Sequence, residues 1–138
     1  LWYLVPLGVH RMLVEWYEIP EDAAAAIERA RREGRRVVAA GTSVVRALEA
    51  AALADGHVRA GVAATDLYIK PGFHFNVTGA MLTNFHLPRS TLLVLVTAFA
   101  GYAPIRRAYQ EAVSQRYRFF SFGDAMFIEK TDTEKTDI

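Results

Sequence analysis

The stretch Arg35-Arg36-Val37-Val38-Ala39-Ala40-Gly41-Thr42-Ser43-Val44-Val45-Arg46 decides the fold class. Its apolar run Val37 to Ala40 is short enough for a buried strand, and Gly41-Thr42-Ser43 leads from it into a helical pattern. Upstream, Pro20, the acidic pair Glu21-Asp22, the segment Ala23 to Arg32 with its basic last turn, and Gly34 carry helix signals in order. Helix, strand, glycine turn and helix in succession predict an α/β domain.

Downstream, Val44, Ala47, Leu48, Ala51 and Ala52 recur at helical spacing and define one face, with Arg46 and Glu49 off it, and Asp55-Gly56 ends the segment. From Gly61 to Phe85 the pattern changes to strands: Asp66 to Lys70 and Phe73 to Val77 around Pro71-Gly72, then Ala80 to Phe85, with spacings that suggest antiparallel neighbours. Thr91 to Ala100 lacks a polar face, as a helix buried on all sides does, a buried strand being the alternative. Pro104 opens an amphipathic helix with the stripe Ile105, Ala108, Tyr109, Ala112 and Val113. Arg118 to Ile128 reads as two short strands, or as one with a turn or bulge at Gly123-Asp124.

The bulk properties exclude several classes. At 138 residues, 52% hydrophobic and 22% charged, the chain is expected to hold one core rather than to be disordered. Without cysteine there is no disulfide framework, thiolate metal site or cysteine nucleophile, and a reducing, cytoplasmic setting is the expectation. The longest apolar run, Leu92 to Ala100, is about half of what a bilayer-spanning helix needs, so no membrane role is expected. His10, His57, His74 and His86 lie at no ligand-like spacing, so no metal site is expected either. The net charge of +1 gives no global argument for a nucleic-acid partner. The chain begins at Leu1 without methionine and is read as part of a longer polypeptide.

Four constellations could carry chemistry. Gly41-Thr42-Ser43 sets backbone N–H groups, hydroxyls and a positive dipole end where a strand meets a helix; its ordinary reading is that Thr42 or Ser43 caps that helix. Thr83-Asn84-Phe85-His86-Leu87-Pro88 places an amide and an imidazole on one side of an extended segment; the ordinary reading is a histidine satisfied by a backbone carbonyl. Tyr117-Arg118-Phe119-Phe120-Ser121-Phe122-Gly123-Asp124 could stack a base and bind a ribose hydroxyl, although most of its rings are expected in the core. Arginines cluster at 29, 31, 32, 35 and 36, and again at Arg89, Arg106, Arg107, Arg116 and Arg118; Glu28 and Glu33 are expected to pair with some of the first group.

Together these stretches resemble the S-adenosylmethionine:tRNA ribosyltransferase-isomerases of queuosine biosynthesis. The resemblance rests on Glu15-Trp16-Tyr17-Glu18-Ile19-Pro20, Gly41-Thr42-Ser43-Val44-Val45-Arg46, Thr65-Asp66 with Pro71-Gly72, Thr83 to Pro88 with Ser90-Thr91-Leu92, and Tyr117 to Met126. It covers residues 10–128, leaves 1–9 unassigned and makes 129–138 a polar, frayed tail. The glycine turn departs from the family's Gly-Thr-Thr-Ser-Val-Arg, with one hydroxyl lost or shifted.

The resemblance implies the C-terminal part of the family's main α/β domain, with a mixed sheet and flanking helices, the inserted β-barrel lying outside this chain. It implies transfer and isomerisation of the ribosyl group of S-adenosylmethionine onto 7-aminomethyl-7-deazaguanine in tRNA, giving epoxyqueuosine and releasing adenine and methionine. S-adenosylmethionine is then a substrate, no cofactor is needed, tRNA is the partner and a monomer is expected. Carried onto this sequence, His86 moves the proton with Asn84 and Thr83 orienting the substrate. Gly41, Thr42, Ser43 and Arg46 hold S-adenosylmethionine, and Arg89, Tyr117, Arg118, Phe120 and Asp124 meet the tRNA. The competing readings are a non-catalytic RNA-binding module and an ordinary methyltransferase, the latter disfavoured because the Gly-x-Gly fingerprint is missing.

Overall fold

The computed structural model describes residues 2–5 and 12–130, with side chains from residue 14 onward. The first helix, α1 (Glu21–Arg32), starts after Pro20 in extended geometry, with Glu21 and Asp22 in its first turn and Arg29, Arg31 and Arg32 in its last. It ends as its glycine requires: Gly34, at φ 69°, lets its own N–H reach the Arg31 carbonyl (3.1 Å) while the Arg35 N–H reaches Ala30 (2.8 Å). That double closure satisfies carbonyls a helix end otherwise leaves bare. Arg31 pairs with Glu28 and Arg35 with Glu33, as expected from their spacing.

The chain then enters β3 (Val37–Ala40), turns at Gly41 and forms α2 (Thr42–Ala51). The buried face of α2 differs from the expected one: Val45, Leu48, Glu49 and Ala52 are buried, whereas Val44 is exposed. The charged Glu49 occupies an inward position because backbone donors await it there. Its Oε1 accepts the N–H groups of Val77 (3.1 Å) and Thr78 (2.8 Å), and its Oε2 that of Asn76 (2.8 Å).

The expected strands at Asp66 to Lys70 and Phe73 to Val77 do not form, and for the second of them those bonds give the reason. Pro71-Gly72 does make a turn, closed by Phe73 N–H to Lys70 carbonyl (3.0 Å) with Gly72 at φ 96°, as a type II turn demands. Beyond it, side chains take the place of a ladder. Glu49 accepts the N–H groups, Arg31 donates to the Asn76 carbonyl (3.2 Å) and Lys130 to that of Phe75 (3.3 Å).

Six strands form two three-stranded sheets among the described residues. One is antiparallel throughout, in the order β1 (Trp2–Val5), β2 (Met12–Ile19), β4 (Gly61–Thr65). Of the stretch 1–9 set apart in sequence, β1 is the part described; of the tail expected at 129–138, Glu129 instead ends β6 opposite Ala80 and Lys130 bonds to the Gly79 carbonyl, while 131–138 lie outside the described residues. The other sheet is mixed, as expected: β3 pairs in parallel with β5 (Thr78–Asn84), which pairs antiparallel with β6 (Ala125–Glu129). The segment from Arg118 is thus one strand preceded by a single 3₁₀ turn at Phe120–Phe122.

Two further helices close the core. Ser90 caps α3 (Thr91–Ala100) by accepting the Leu93 N–H (3.2 Å), a bond worth about 1 kcal/mol. In α3 only Thr91 is exposed. Gly101, at φ 87°, ends α3 and opens α4 (Tyr102–Ser114), two residues ahead of the expected start. Ile105 and Ala112 of α4 are buried and Ala108 and Tyr109 pack against the core, but Val113 is 66% exposed. One apolar cluster joins the mixed sheet and the helices, with Ala39, Met81, Met126 and Ile128 from the sheet and Val45, Leu48, Leu95, Val96, Phe99 and Ile105 from the helices, and Ile19 of β2 added to it.

Candidate active site

Because β3 and β5 run parallel, with Ala40 opposite Leu82, their C-terminal ends lie side by side, where open α/β sheets place ligands. The Gly41 N–H extends this ladder one step by donating to the Leu82 carbonyl (2.8 Å). Gly41 itself sits at φ 103° and ψ 146°, a backbone conformation that a side chain would strain, although the space beside it is open. No side chain caps α2 at Gly41, so the capping role expected of Thr42 or Ser43 is not the one they play. Thr42 is instead buried against a cleft, while Ser43 is exposed on the first turn.

That cleft, of 270 Å³, is lined by Ala40, Gly41, Thr42, Leu82, Thr83, Asn84, His86 and Ala125. Two separated motifs are therefore brought together, the glycine turn from one strand end and Thr83, Asn84 and His86 from the next. His86 Nε2 lies 2.7 Å from the buried Thr83 hydroxyl oxygen, whose own proton has the Asn84 carbonyl 3.3 Å away. A hydroxyl has one proton to give; when it goes to Asn84, the shorter contact is donated by Nε2–H, and Nδ1 is left as the acceptor. The histidine is not satisfied by a backbone carbonyl, the ordinary expectation, but by a threonine. Burial pushes its imidazole below the usual histidine pKa, which keeps the ring neutral near pH 7.

Tyr109 is the residue that sequence reasoning did not assign to this site. It belongs to the apolar stripe of α4, yet its hydroxyl accepts the His86 backbone N–H at 2.7 Å, and burial raises its own pKa. Its ring meets Phe85 edge-on (5.4 Å between centroids), and Phe119 stacks on Phe85 (5.3 Å) while meeting the Tyr109 ring edge-on (5.8 Å). The histidine backbone is thereby held through its own N–H and through Phe85 before it. A half-buried tyrosine on an otherwise aliphatic stripe was the available signal.

Arg46 lies away from the cleft lining. Its guanidinium pairs with Glu15 of β2 (2.8 Å) and donates to the Leu67 carbonyl (3.2 Å), with the two side chains only 12% and 17% exposed. This is a staple between α2 and the antiparallel sheet.

The third motif borders the site. Asp124 directly precedes cleft-lining Ala125, and its carboxylate accepts the Arg118 backbone N–H (2.5 Å) and Nε–H (3.2 Å). The Arg118 guanidinium first, and then that N–H, hold the Asp124 carboxyl below its usual pKa. Phe120, at φ 60°, donates its N–H to the Phe85 carbonyl (3.0 Å), tying this loop to the residue before His86. Contrary to expectation most of these rings face outward: Tyr117 is 47%, Phe120 39% and Phe122 70% exposed, while Phe119 is half-buried. In the strand that follows, Met126 and Ile128 take the inward positions of β6 and Phe127 faces out. Arg89, also with positive φ (62°), is exposed on the turn before α3.

The family model described as "Queuosine biosynthesis protein" matches residues 6–128. The chain belongs to this family. A curated relative from Ralstonia nicotianae, named S-adenosylmethionine:tRNA ribosyltransferase-isomerase, is 54% identical over 93% of this chain and 36% of the relative. One of the same name from Aromatoleum aromaticum is 59% identical over 88% of this chain and 35% of its own length. A crystal structure of an S-adenosylmethionine tRNA ribosyltransferase from Thermotoga maritima superposes with a TM-score of 0.74 at 49% identity, covering 82% of this chain and 40% of that one. The chain thus spans little more than a third of the curated relatives it matches. Among the described residues, no helix is long and apolar enough to cross a membrane.

Proposed function

We propose that this chain carries the reaction cleft of a cytoplasmic enzyme that transfers and isomerises the ribosyl group of S-adenosylmethionine onto the 7-aminomethyl-7-deazaguanine base of tRNA, releasing adenine and methionine. The observation that carries this reading is the meeting, in one 270 Å³ cleft, of the glycine turn with Thr83, Asn84 and His86. The names of the relatives supply the substrate class.

The reaction needs a base for the proton beside the sulfonium, donors for the departing adenine, and a site that excludes water. His86 is the base: neutral through burial, with Nε2 hydrogen-bonded to Thr83 and, when Thr83 gives its proton to the Asn84 carbonyl, Nδ1 left to take a proton. Asn84 orients the substrate with its amide. Gly41 and Thr42, with Ser43 beside them, hold a polar end of S-adenosylmethionine at the start of α2, where the helix dipole favours negative charge. Arg46 acts indirectly, by fixing α2 against Glu15. Arg89, Tyr117, Phe120 and the Arg118–Asp124 pair form the adjoining tRNA surface, with exposed rings available for base stacking. No other cofactor enters, and the enzyme works as a monomer.

The test places this chain in the full-length Ralstonia nicotianae relative, in exchange for the matched segment, and follows adenine release and tRNA mass with S-adenosylmethionine and precursor tRNA. Adenine release with the matching gain in tRNA mass is expected. The exposed Phe120 and Phe122 also suit a module that only binds RNA; salt-sensitive tRNA retention with no adenine release would establish that reading instead.

A further inference from the structure

Helix α2 begins with its first amides unanswered. The N–H groups of Thr42, Ser43 and Val44 have no carbonyl within the helix to reach, since its ladder opens with the Val45 N–H on the Gly41 carbonyl (3.3 Å). No side chain caps them and the first turn holds no acidic residue, so nothing in the chain offsets the positive end of the helix dipole. A second, independent observation lies beside it. Thr42 is only 8% exposed and lines the cleft, yet its hydroxyl has no hydrogen-bond partner among the described residues. Enclosed hydroxyls are paired as a rule, as that of Thr83 across the cleft is with His86, so an unanswered one in a cleft wall points to a ligand. Gly41 leaves the approach open, for a side chain there would meet no atom within 4 Å.

The rest of the lining sets the charge of that ligand. No carboxylate, lysine or arginine faces the cleft, and its histidine is neutral, so the start of α2 supplies the field and favours a single negative charge. Thr42, more than nine-tenths buried, suits a terminal carboxylate that enters end-on better than a phosphodiester flanked by ribose on both sides. We infer that the start of α2 is a carboxylate subsite: the Thr42 hydroxyl and the free N–H groups of residues 42–44 take the carboxylate at the methionine end of S-adenosylmethionine, and this contact sets the specificity for that substrate. The identity of the ligand rests on the proposed reaction; the preference for a carboxylate rests on the geometry of α2 alone. The exposed Asn84 amide, with its oxygen as acceptor, is the group that can meet the ammonium beside that carboxylate. Of the two products, methionine keeps the carboxylate and adenine has none, so methionine competes for this subsite.

The test uses the full-length Ralstonia nicotianae relative carrying this chain, with tRNA that has guanine in place of the precursor base; such tRNA offers no amine, so binding is read without turnover. Equilibrium dialysis compares S-adenosylmethionine with its decarboxylated form, which keeps the sulfonium, ribose and adenine. S-adenosylmethionine is expected to bind at least about tenfold tighter, as charge-assisted hydrogen bonds imply. In Thr42→Val that preference should shrink at least about threefold through weaker binding of S-adenosylmethionine alone, and Thr42→Ser should restore it, with thermal melting as the check on folding. Equal binding of the two compounds by the parent, or binding of neither, would overturn the subsite without reference to any variant. So would an unaltered preference in Thr42→Val, including the case in which that variant loses tRNA retention instead, which assigns the anion to a tRNA phosphate. Adenine release with precursor tRNA, followed alongside, separates the two readings: release with equal binding keeps the reaction and removes the subsite, whereas carboxylate-dependent binding without release keeps the subsite and removes the reaction.

Discussion

His86 Nε2 lies 2.7 Å from Thr83 Oγ1, a hydrogen bond between residues three apart where β5 leaves the sheet. The short loop folds the imidazole back over the strand end and holds it beside the turn at Gly41, which is more than forty positions away in sequence. Burial lowers the His86 pKa, so the ring gains its proton only below the usual histidine range near pH 6.5. If the neutral ring is the base, turnover should persist below pH 6.5 and fall off further into acid. In nitrogen-15 spectra the resting ring should carry its proton on Nε2, and Thr83→Val should disturb that tautomer. An acidic limb at or above the ordinary value would count against the buried base. The same shift affects stability: with the folded pKa lowered, the contribution is full above about pH 6.5 and is lost as the pH falls through the folded value.

Arg46 separates a staple from a ligand contact. Arg46→Ala leaves Glu15 without its partner in a setting where both side chains are largely buried, at a cost of about 2 kcal/mol. Thermal melting should drop, while the dissociation constant for S-adenosylmethionine in the full-length context stays within about threefold of the parent, a difference below about 1 kcal/mol. A large loss of affinity at unchanged melting temperature would return Arg46 to the binding site.

Glu49 answers three backbone N–H groups at the entrance to β5. Glu49→Ala strands those donors and should cost at least about 3 kcal/mol, with Glu49→Gln losing less because one acceptor survives. Denaturant melts of the two variants check this ordering. Equal and small losses would mean the segment at 76–78 finds other partners.

Glu28 should govern acid stability. The Val58 N–H is the main reason its pKa falls to about 2 from 4.5, assisted by His57 and Arg31 and opposed by partial burial. Its contribution is full above about pH 4.5 and disappears as the pH falls towards 2. Glu28→Gln should therefore flatten the acid side of the stability profile and leave little difference from the parent near pH 2. A constant gap between the two proteins at every pH would contradict this.

What the sequence disclosed follows the range of the forces involved. The limits of α1 were legible because Pro20, the charged end turns and Gly34 act within one helical turn. The turn at Gly41 was legible because a glycine between an apolar strand and a helical pattern marks the passage from one to the other. The strand β2 was not, since its inward positions include Glu15, turned in only because Arg46 waits there; that partner is visible in three dimensions alone. Glu49 misled for the same reason, a charge on a buried face being answered by amides nearly thirty residues on. Burial of Tyr117, Phe120 and Phe122 was over-assigned because hydrophobicity states what a ring prefers and not which side of the fold is available to it. Tyr109 passed as core, its hydroxyl bond to His86 depending on how α4 docks.

The central claim, that the cleft of His86 performs the chemistry, is tested most directly by single-turnover adenine release from S-adenosylmethionine in the full-length Ralstonia nicotianae relative carrying this chain, comparing the parent with His86→Gln at equal melting temperature. The account expects release to slow by about 10²- to 10⁴-fold, the usual worth of a general base, with tRNA still bound. Unchanged release by His86→Gln would contradict it and place the proton transfer on another residue.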